Sequence, residues 1–495
     1  MDITNNIYMK PLLNEEKLKK DMEFWNIPGL SVGVIKDGEI IFENGYGLRN
    51  IASHLPMTYD TLGGIASCSK SFTSAIIATL VDEGKLGFDT PVIDYIPDFR
   101  LFDKTASDNV TVRDMLYHRT GLANHDAMWP DPSITRDEFM HRFRYLKPNK
   151  PFRSVSQYNN TVYSLIGHIA ERVSGQSWEA LVSNRLLEPL GMTRTCLTVA
   201  DMRHDPDWAT GYLERERHGC LEEMPAWEMN VGSPAAGVNS CAGDMLKWLQ
   251  FHLNKGTAGG TRLISEKSMN EMHHGAVDMS NHIWDYPEVS AVKDYGMAWV
   301  NTTYRGLHLT YHCGEIEGYS SVELMVPDYN TGMFLIANKH KPVIPFLFAV
   351  VYTIIDKLIG FPEIDWFERM DAYDHPRYEG DPVYDGLEID LMPASGISDT
   401  HVSHPLGEYS GEYVSNAYGP VRICEAGGDL FLCYKEWRLP MEHFHYDTFR
   451  VKGLKEDTYF YTVPLTFGYD ESSGHIDSLT IRIDKNVDPV MFSRV

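Results

Sequence analysis

The stretch "GGIASCSKSFTSAIIATLVDEG", residues 63–84, holds two groups whose spacing could support nucleophilic chemistry: Ser67 and, three residues on, Lys70. Residues three apart on a helix project from nearly the same face. A serine hydroxyl is a poor nucleophile until a base takes its proton, and a lysine becomes that base when burial lowers its pKa toward neutrality. A helix amino terminus favours this, because its positive end disfavours an ammonium and its free N–H groups can hold an oxyanion. A purely structural account is equally simple, with Ser67 as an N-cap and Lys70 as a solvated charge, and S-x-x-K alone does not choose between them.

The elements that must position this pair are legible in outline. Phe72, Ile76 and Leu80 predict a helix with one stripe facing a core, and Gly84 predicts its stop. Upstream, Leu18, Met22 and Trp25 recur at helical spacing after Asn14, a cap residue. The run "LSVGVIKDGEIIFENGYG" is β-rich on both sides of Asp37-Gly38, which suits a type I′ hairpin turn. Helical patterns such as "VTVRDMLYHRTGL" and "TVYSLIGHIAERVSGQSWEALVSNRLLEPLG" follow, and later "YGMAWVNTT", "LHLTYHCG", "YSSVELMVP" and "GMFLIANK" return to short β runs. Strands at both ends with helices between predict an α+β fold: an antiparallel sheet flanked by helices, with an inserted helical subdomain. The expected organisation is a catalytic domain over 1–362, a linker with at most one short element over 363–404, and a small all-β module, barrel or sandwich, over 405–495.

Acidic residues outnumber basic ones 69 to 44, a formal charge of −25, which repels phosphate backbones and anionic lipid. Neither nucleic acid nor a membrane is an expected partner. At 495 residues, 43% hydrophobic and 23% charged, the chain reads as globular. The amino end shows no secretory-signal pattern. The longest apolar stretch, Val343 to Ile355, is shorter than the roughly 18 residues of a bilayer span. Seven cysteines, an odd number with no CxxC pair, argue against a disulfide framework or a structural zinc site. A cytoplasmic location is the expectation.

Two further motifs make the sequence resemble a known family. "SCSK" (Ser67 to Lys70) is similar to the S-x-x-K motif of the serine β-lactamase and penicillin-binding-protein superfamily. "YNN" (Tyr158 to Asn160) resembles the Y-x-N motif of its class C branch and related esterases, and "HCG" (His312 to Gly314) resembles the H-x-G form of its third motif. The resemblance spans about Pro28 to Gly360, and the carboxyl-terminal module resembles a lipocalin-like accessory domain. It implies that Ser67 is the acylated nucleophile, that Lys70 and Tyr158 share the base and acid roles, and that Asn160 joins the Lys70 network. It further implies an oxyanion hole made by the backbone N–H groups of Ser67 and Glu315 on an edge strand. His312 stands where the β-lactamases carry the lysine of K-T-G, and a neutral imidazole holds a substrate carboxylate less well. Glu315 follows Gly314, and a carboxylate beside an acyl pocket would repel anionic substrates.

The function these features imply is that of a serine hydrolase or acyltransferase without metal or cofactor, acting on a small-molecule ester, thioester or amide. Two rivals use the same residues differently: acid–base chemistry without an acyl step, as in an isomerase or cyclase, and a non-catalytic scaffold. Other candidates read as structural. His273, His274 and His282 lack carboxylate or cysteine partners at ligand spacing, and His443 and His445 would share a strand face without a third ligand. Cys68 and Cys313 lie inside the first and third motifs and either line the pocket or serve as small semi-buried fillers, and Asp244 reads as an acid in the first turn of a helix. The loops "GLANHDAMWPDPS" and "DMSNHIWDYPEVS" are the expected pocket walls, their aromatic residues suited to a hydrophobic or ring-bearing ligand. Oligomeric state stays open.

Overall fold

The computed structural model describes residues 12–129, 133–214, 219–279, 288–289, 293–378, 395–434, 437–452, 462–483 and 486–495, with Met392. Asn14 caps the first helix, Glu15–Phe24, its side chain accepting the Lys17 backbone N–H at 3.1 Å. At the hairpin that follows, Asp37 and Gly38 take φ of +54° and +85°. That is the left-handed pair a type I′ turn requires, and it folds Glu39–Asn50 back antiparallel on Gly29–Lys36.

Among the described residues the main sheet has nine strands. From one side to the other they are Val277–Asp278, Asp294–Tyr295, Val300–Tyr304, Leu307–Ile316, Tyr319–Val326, Thr331–Ala337, Gly29–Lys36, Glu39–Asn50 and Leu55–Pro56. Gly29–Lys36 pairs antiparallel with Thr331–Ala337, Leu30 opposite Ala337, so strands from opposite ends of the region lie side by side. The helices between them in sequence are therefore packed outside the sheet, which is the expected α+β plan. Leu30, Val32 and Val34 face a cluster shared with Leu18 and Met22 of the first helix and with Phe346 and Val350 of the helix Ile344–Ile359. On the opposite face the helix Ala242–Leu253 lays Leu246 over Gly33, where an added Cβ would lie 3.0 Å from Leu246 Cδ1.

The helix carrying Lys70, Ser69–Asp82, differs from the expected single stripe. Every residue from Ser69 to Leu80 is buried, because neighbours including the helices Asn160–Ser174 and Ser233–Ala236 enclose it. Phe72 stacks on Trp248 with ring centroids 4.1 Å apart. Within the segment read as a linker, Trp366–Tyr378 is a helix, and the buried Trp366 donates its Nε1–H to Asp356 at 2.9 Å.

The carboxyl-terminal strands, left open between barrel and sandwich by the sequence, close into a barrel. Eight strands from Gly411–Ser415 to Val490–Arg494 pair in sequence order, and the first pairs with the last. Closure leaves no free sheet edge. The barrel meets the helical region through Tyr434, whose hydroxyl donates to the Ala127 carbonyl at 3.0 Å, and through an edge-to-face contact of Trp437 with Trp227 at 6.4 Å. No helix among the described residues is long and apolar enough to cross a membrane.

Candidate active site

Ser67 lies in a 3-10 turn, Ala66–Cys68, that feeds directly into the Ser69–Asp82 helix. It is not the N-cap of the structural account; Cys68 holds that position and makes no side-chain cap bond. Ala66 sits at φ +50°, a left-handed conformation that is strained for a residue with a Cβ. The reversal leaves Ser67 partly exposed in an otherwise buried run from Thr61 to Lys70.

Lys70 is fully buried, not solvated. Its Nζ lies 2.9 Å from Ser67 Oγ and donates to Asn160 Oδ1 at 2.8 Å and to the Ala235 carbonyl at 3.1 Å. Burial drives its pKa down to about 7, and the Asp126 carboxylate only partly opposes the shift. The Asn160 amide is oriented by Asp126, which accepts its Nδ2–H at 3.0 Å, so Oδ1 turns to Lys70. Asp126 also accepts from Asn124 at 2.6 Å and from Thr161 at 3.2 Å. Tyr158 completes the group: its hydroxyl lies on the Ser67 side, its ring centroid is 5.0 Å from Lys70 Nζ, and burial holds its phenol protonated.

The third motif packs against the same turn. A Cβ at Gly314 would lie 2.1 Å from the Ile65 carbonyl oxygen and 2.5 Å from Ser321 Oγ, so only glycine lets the Leu307–Ile316 strand come this close. Ser321 Oγ donates to that Ile65 carbonyl at 2.9 Å, and Cys68 Sγ lies 3.3 Å from Ser321 Oγ, which fixes the turn to the sheet. The strand is not an edge strand throughout. Val300–Tyr304 covers it as far as Tyr311, opposite Val300, and from His312 onward no described strand pairs on that side.

One expectation changes here. Strand alternation puts Gly314 toward Ala66 and therefore turns the Glu315 side chain to the other face, with Cys313 and away from Ser67. Its carboxylate does not flank the nucleophile. His312 Nδ1 is 2.7 Å from the Cys313 carbonyl, which requires Nδ1–H, so Nε2 accepts from Tyr295 Oη at 3.2 Å. Burial, reinforced by Lys70, pushes the His312 pKa down to about 3. The ring is neutral, both nitrogens are engaged, and its work here is to hold Tyr295 against Tyr158, whose rings meet edge-on at 6.4 Å.

Asp126, Asn124 and Tyr295 were not singled out from the sequence. The signal for the first two is the polar cluster Asn124-His125-Asp126 inside an otherwise apolar run. In that expected pocket loop Trp129 is buried against Gly232. The second loop, 278–290, lies almost wholly outside the described residues, as does His282. Asp244 does more than sit in a first turn: buried, it accepts the Arg194 and Thr195 backbone N–H groups at 2.8 and 2.9 Å. His273 pairs with the buried His252 at 2.9 Å, and a register shift between His443 and His445 interrupts the alternation a shared face needs. Beside the Ser67 turn, a pocket open to solvent is bounded by Gly64, Trp227, Met229, Gly237, Ile316 and Tyr319.

The Beta-lactamase family model matches residues 15–346, the region of the main sheet and all three motifs. The chain belongs to the Beta-lactamase family. A domain of unknown function, DUF3471, matches residues 397–494 and so coincides with the barrel. Among Beta-lactamase-family relatives, an unguisins hydrolase of Aspergillus campestris is 27% identical over 435 residues, covering 82% of this chain and 76% of that one. Protein flp of Staphylococcus aureus is 27% identical over 343 residues, covering 67% and 63%. An octameric penicillin-binding protein homologue from Pyrococcus abyssi shares the fold with a TM-score of 0.58 at 22% identity, covering 97% of this chain and all of that one. A class C beta lactamase from Rhodobacter sphaeroides aligns with a TM-score of 0.56 at 23% identity over 70% of this chain.

Proposed function

We propose that this chain is a serine hydrolase or acyltransferase that forms an acyl-enzyme on Ser67 from a small-molecule ester, thioester or amide. The observation that carries the reading is the set of three partners around Lys70 Nζ. Two of them, Asn160 Oδ1 and the Ala235 carbonyl, only accept hydrogen bonds. A neutral amine has two N–H groups, which these two acceptors take, and the remaining lone pair points at the third partner, Ser67 Oγ. A pKa near 7 keeps a large share of Lys70 in that form at neutral pH.

In this mechanism Lys70 takes the Ser67 proton as Oγ attacks the acyl carbon. The backbone N–H groups of Ser67 and Glu315 hold the oxyanion, a contribution worth about 10²- to 10³-fold in rate per donor. Tyr158, kept protonated by burial, passes a proton between Lys70 and the leaving group. Water or a second nucleophile then releases the acyl group. The pocket beside the turn receives the acyl portion. Neutral His312 and an overall charge of −25 favour an uncharged substrate. The relative named as an unguisins hydrolase supports hydrolysis as the outcome.

A panel of acyl esters, thioesters and D-amino-acid amides, run on wild type and Ser67→Ala with intact-protein mass spectrometry, tests this. Turnover with a mass increment on Ser67, both lost in the variant, is the expected result. Turnover that persists in Ser67→Ala would instead indicate acid–base chemistry without an acyl step. Absence of fluorophosphonate labelling at Ser67, with no turnover, would indicate a scaffold.

A further inference from the structure

A pair of nucleophilic groups outside the Ser67 site lies on the outer face of the barrel. Cys424 stands on the strand Gly419–Ala426 and Cys433 on its antiparallel neighbour Asp429–Tyr434. The residues that alternate with them, Ile423 and Leu432, are buried in the barrel, so both thiols turn outward, where each is half-buried. Cys424 is opposite Phe431 and Cys433 is opposite Arg422, which places the two cysteines on a diagonal of the ladder. Their sulfurs nevertheless lie 3.2 Å apart, with the Cys433 S–H donating to Cys424 Sγ.

Cys433 also sits between two cations. Arg422 is directly opposite it on one neighbouring strand, and Arg438, on Trp437–His445, is directly opposite it on the other. The Arg438 guanidinium is held over the Phe431 ring, 4.0 Å from its centroid, on the same outer face. Glu412 ends this row beyond Arg422. In a chain of net charge −25, the dithiol thus lies between cations, a local field that draws a small anion to it. Burial and the bond to Cys424 push the Cys433 thiol up, and Arg438 and Arg422 only partly oppose them. Cys433 therefore keeps its proton while Cys424 reacts, and the two arginines favour its anion when its own turn comes.

We propose that Cys424 and Cys433 form a thiol–disulfide exchange site that takes a small anionic disulfide and closes reversibly into a disulfide of its own. Cys424, as its thiolate, attacks one sulfur of the small disulfide; that S–S bond breaks, and the first small thiolate leaves and takes up the proton that Cys424 gave to solvent. Cys433 then attacks the Cys424 sulfur of the mixed disulfide and releases the second small thiol, which takes up the Cys433 proton. Two protein thiols are oxidised to one disulfide while one small disulfide is reduced to two thiols. Held at 3.2 Å, Cys433 is placed for this second step before the ligand arrives. The new bond has to close that gap to about 2.05 Å along a diagonal, not between directly opposed residues, and it stays half-exposed, so it is readily reduced again. Neither step uses Ser67 or Lys70, and the site does not depend on the acyl-enzyme mechanism.

Incubation of the full-length protein with glutathione disulfide, followed by alkylation and peptide mapping by mass spectrometry, tests this. The expected product, in wild type and in Ser67→Ala alike, is a link between Cys424 and Cys433, lighter by two hydrogens than the free thiols and reversed by dithiothreitol. Cys433→Ser is expected to stop at the mixed disulfide, with one glutathione on Cys424. In that background, Arg422→Ala with Arg438→Ala is expected to slow loading by glutathione disulfide about threefold or more and to leave loading by the uncharged 2-hydroxyethyl disulfide unchanged. No Cys424–Cys433 link in wild type overturns the proposal, and so does a Cys433→Ser protein that loads Cys424 no faster than the exposed Cys220. Equal slowing with both small disulfides would overturn the choice of an anionic ligand. The link itself is read on wild type, so its test stands even where a variant fails to fold, which circular dichroism checks.

Discussion

In the proposed mechanism Lys70 is the base, and its state is a balance of two opposing effects. Burial lowers its pKa to about 7, and the nearby Asp126 carboxylate holds it from falling further. Because the proposed mechanism uses the neutral amine, the rate is expected to rise with pH through about 7, as Lys70 loses its proton. Asp126→Asn removes the opposing charge and is expected to shift this rising limb to lower pH, read as kcat/KM against pH with a neutral ester. A limb that stays in place or moves up would show that the titrating group is not Lys70. The substitution also disturbs the bond that orients Asn160, so a lower plateau is expected with the shift.

At the scale of elements, the site depends on how closely a turn and a strand approach. The strained Ala66 and the bare Gly314 are two halves of one contact, in which the Ile65 carbonyl sits where a Cβ at 314 would be. Gly314→Ala is expected to force the Leu307–Ile316 strand away from the Ser67 turn, costing about 1–3 kcal/mol of stability. It should lower activity more than stability, because the proposed oxyanion donors sit on the two elements that separate. Denaturant unfolding and kcat on one ester check this together; a stable variant with full kcat would refute the geometry. The Ser69–Asp82 helix behaves consistently with this close packing: it is buried on all sides, so its first turn has little freedom to relax.

At the scale of the whole molecule, the barrel and the catalytic region share one buried cluster and are also joined by polar contacts of unequal weight. The Lys147–Asp488 ion pair is exposed, and exposed pairs contribute little to stability. The Tyr434 bond to Ala127 is half-buried and ends on the segment that carries Asp126. Tyr434→Phe is expected to cost about 0.5–1.5 kcal/mol and to speed hydrogen exchange at Met128 and Trp129, whereas Lys147→Ala leaves both unchanged. Equal effects of the two variants would mean that the barrel does not brace this segment.

What the sequence determined by itself follows from local rules. The Asp37-Gly38 turn, the Asn14 cap and the alternation of the late strands need only neighbours along the chain, and the three motifs carry their own residue types and spacing. What only the tertiary structure decided depends on residues far apart in sequence. The S-x-x-K spacing could not say whether Lys70 meets water or protein; that rests on Asn160, 90 residues on, and Ala235, 165 residues on. The side of the strand taken by the Glu315 carboxylate follows from the close contact of Gly314 with the Ser67 turn, which alternation alone does not reveal. Asp126 carries no sequence signature of its own because its partners Asn160 and Thr161 lie on another helix. The barrel's closure depends on pairing its first strand with its last. Long-range pairing and burial are properties of the assembled core, and the chemistry of Ser67 and Lys70 is set there.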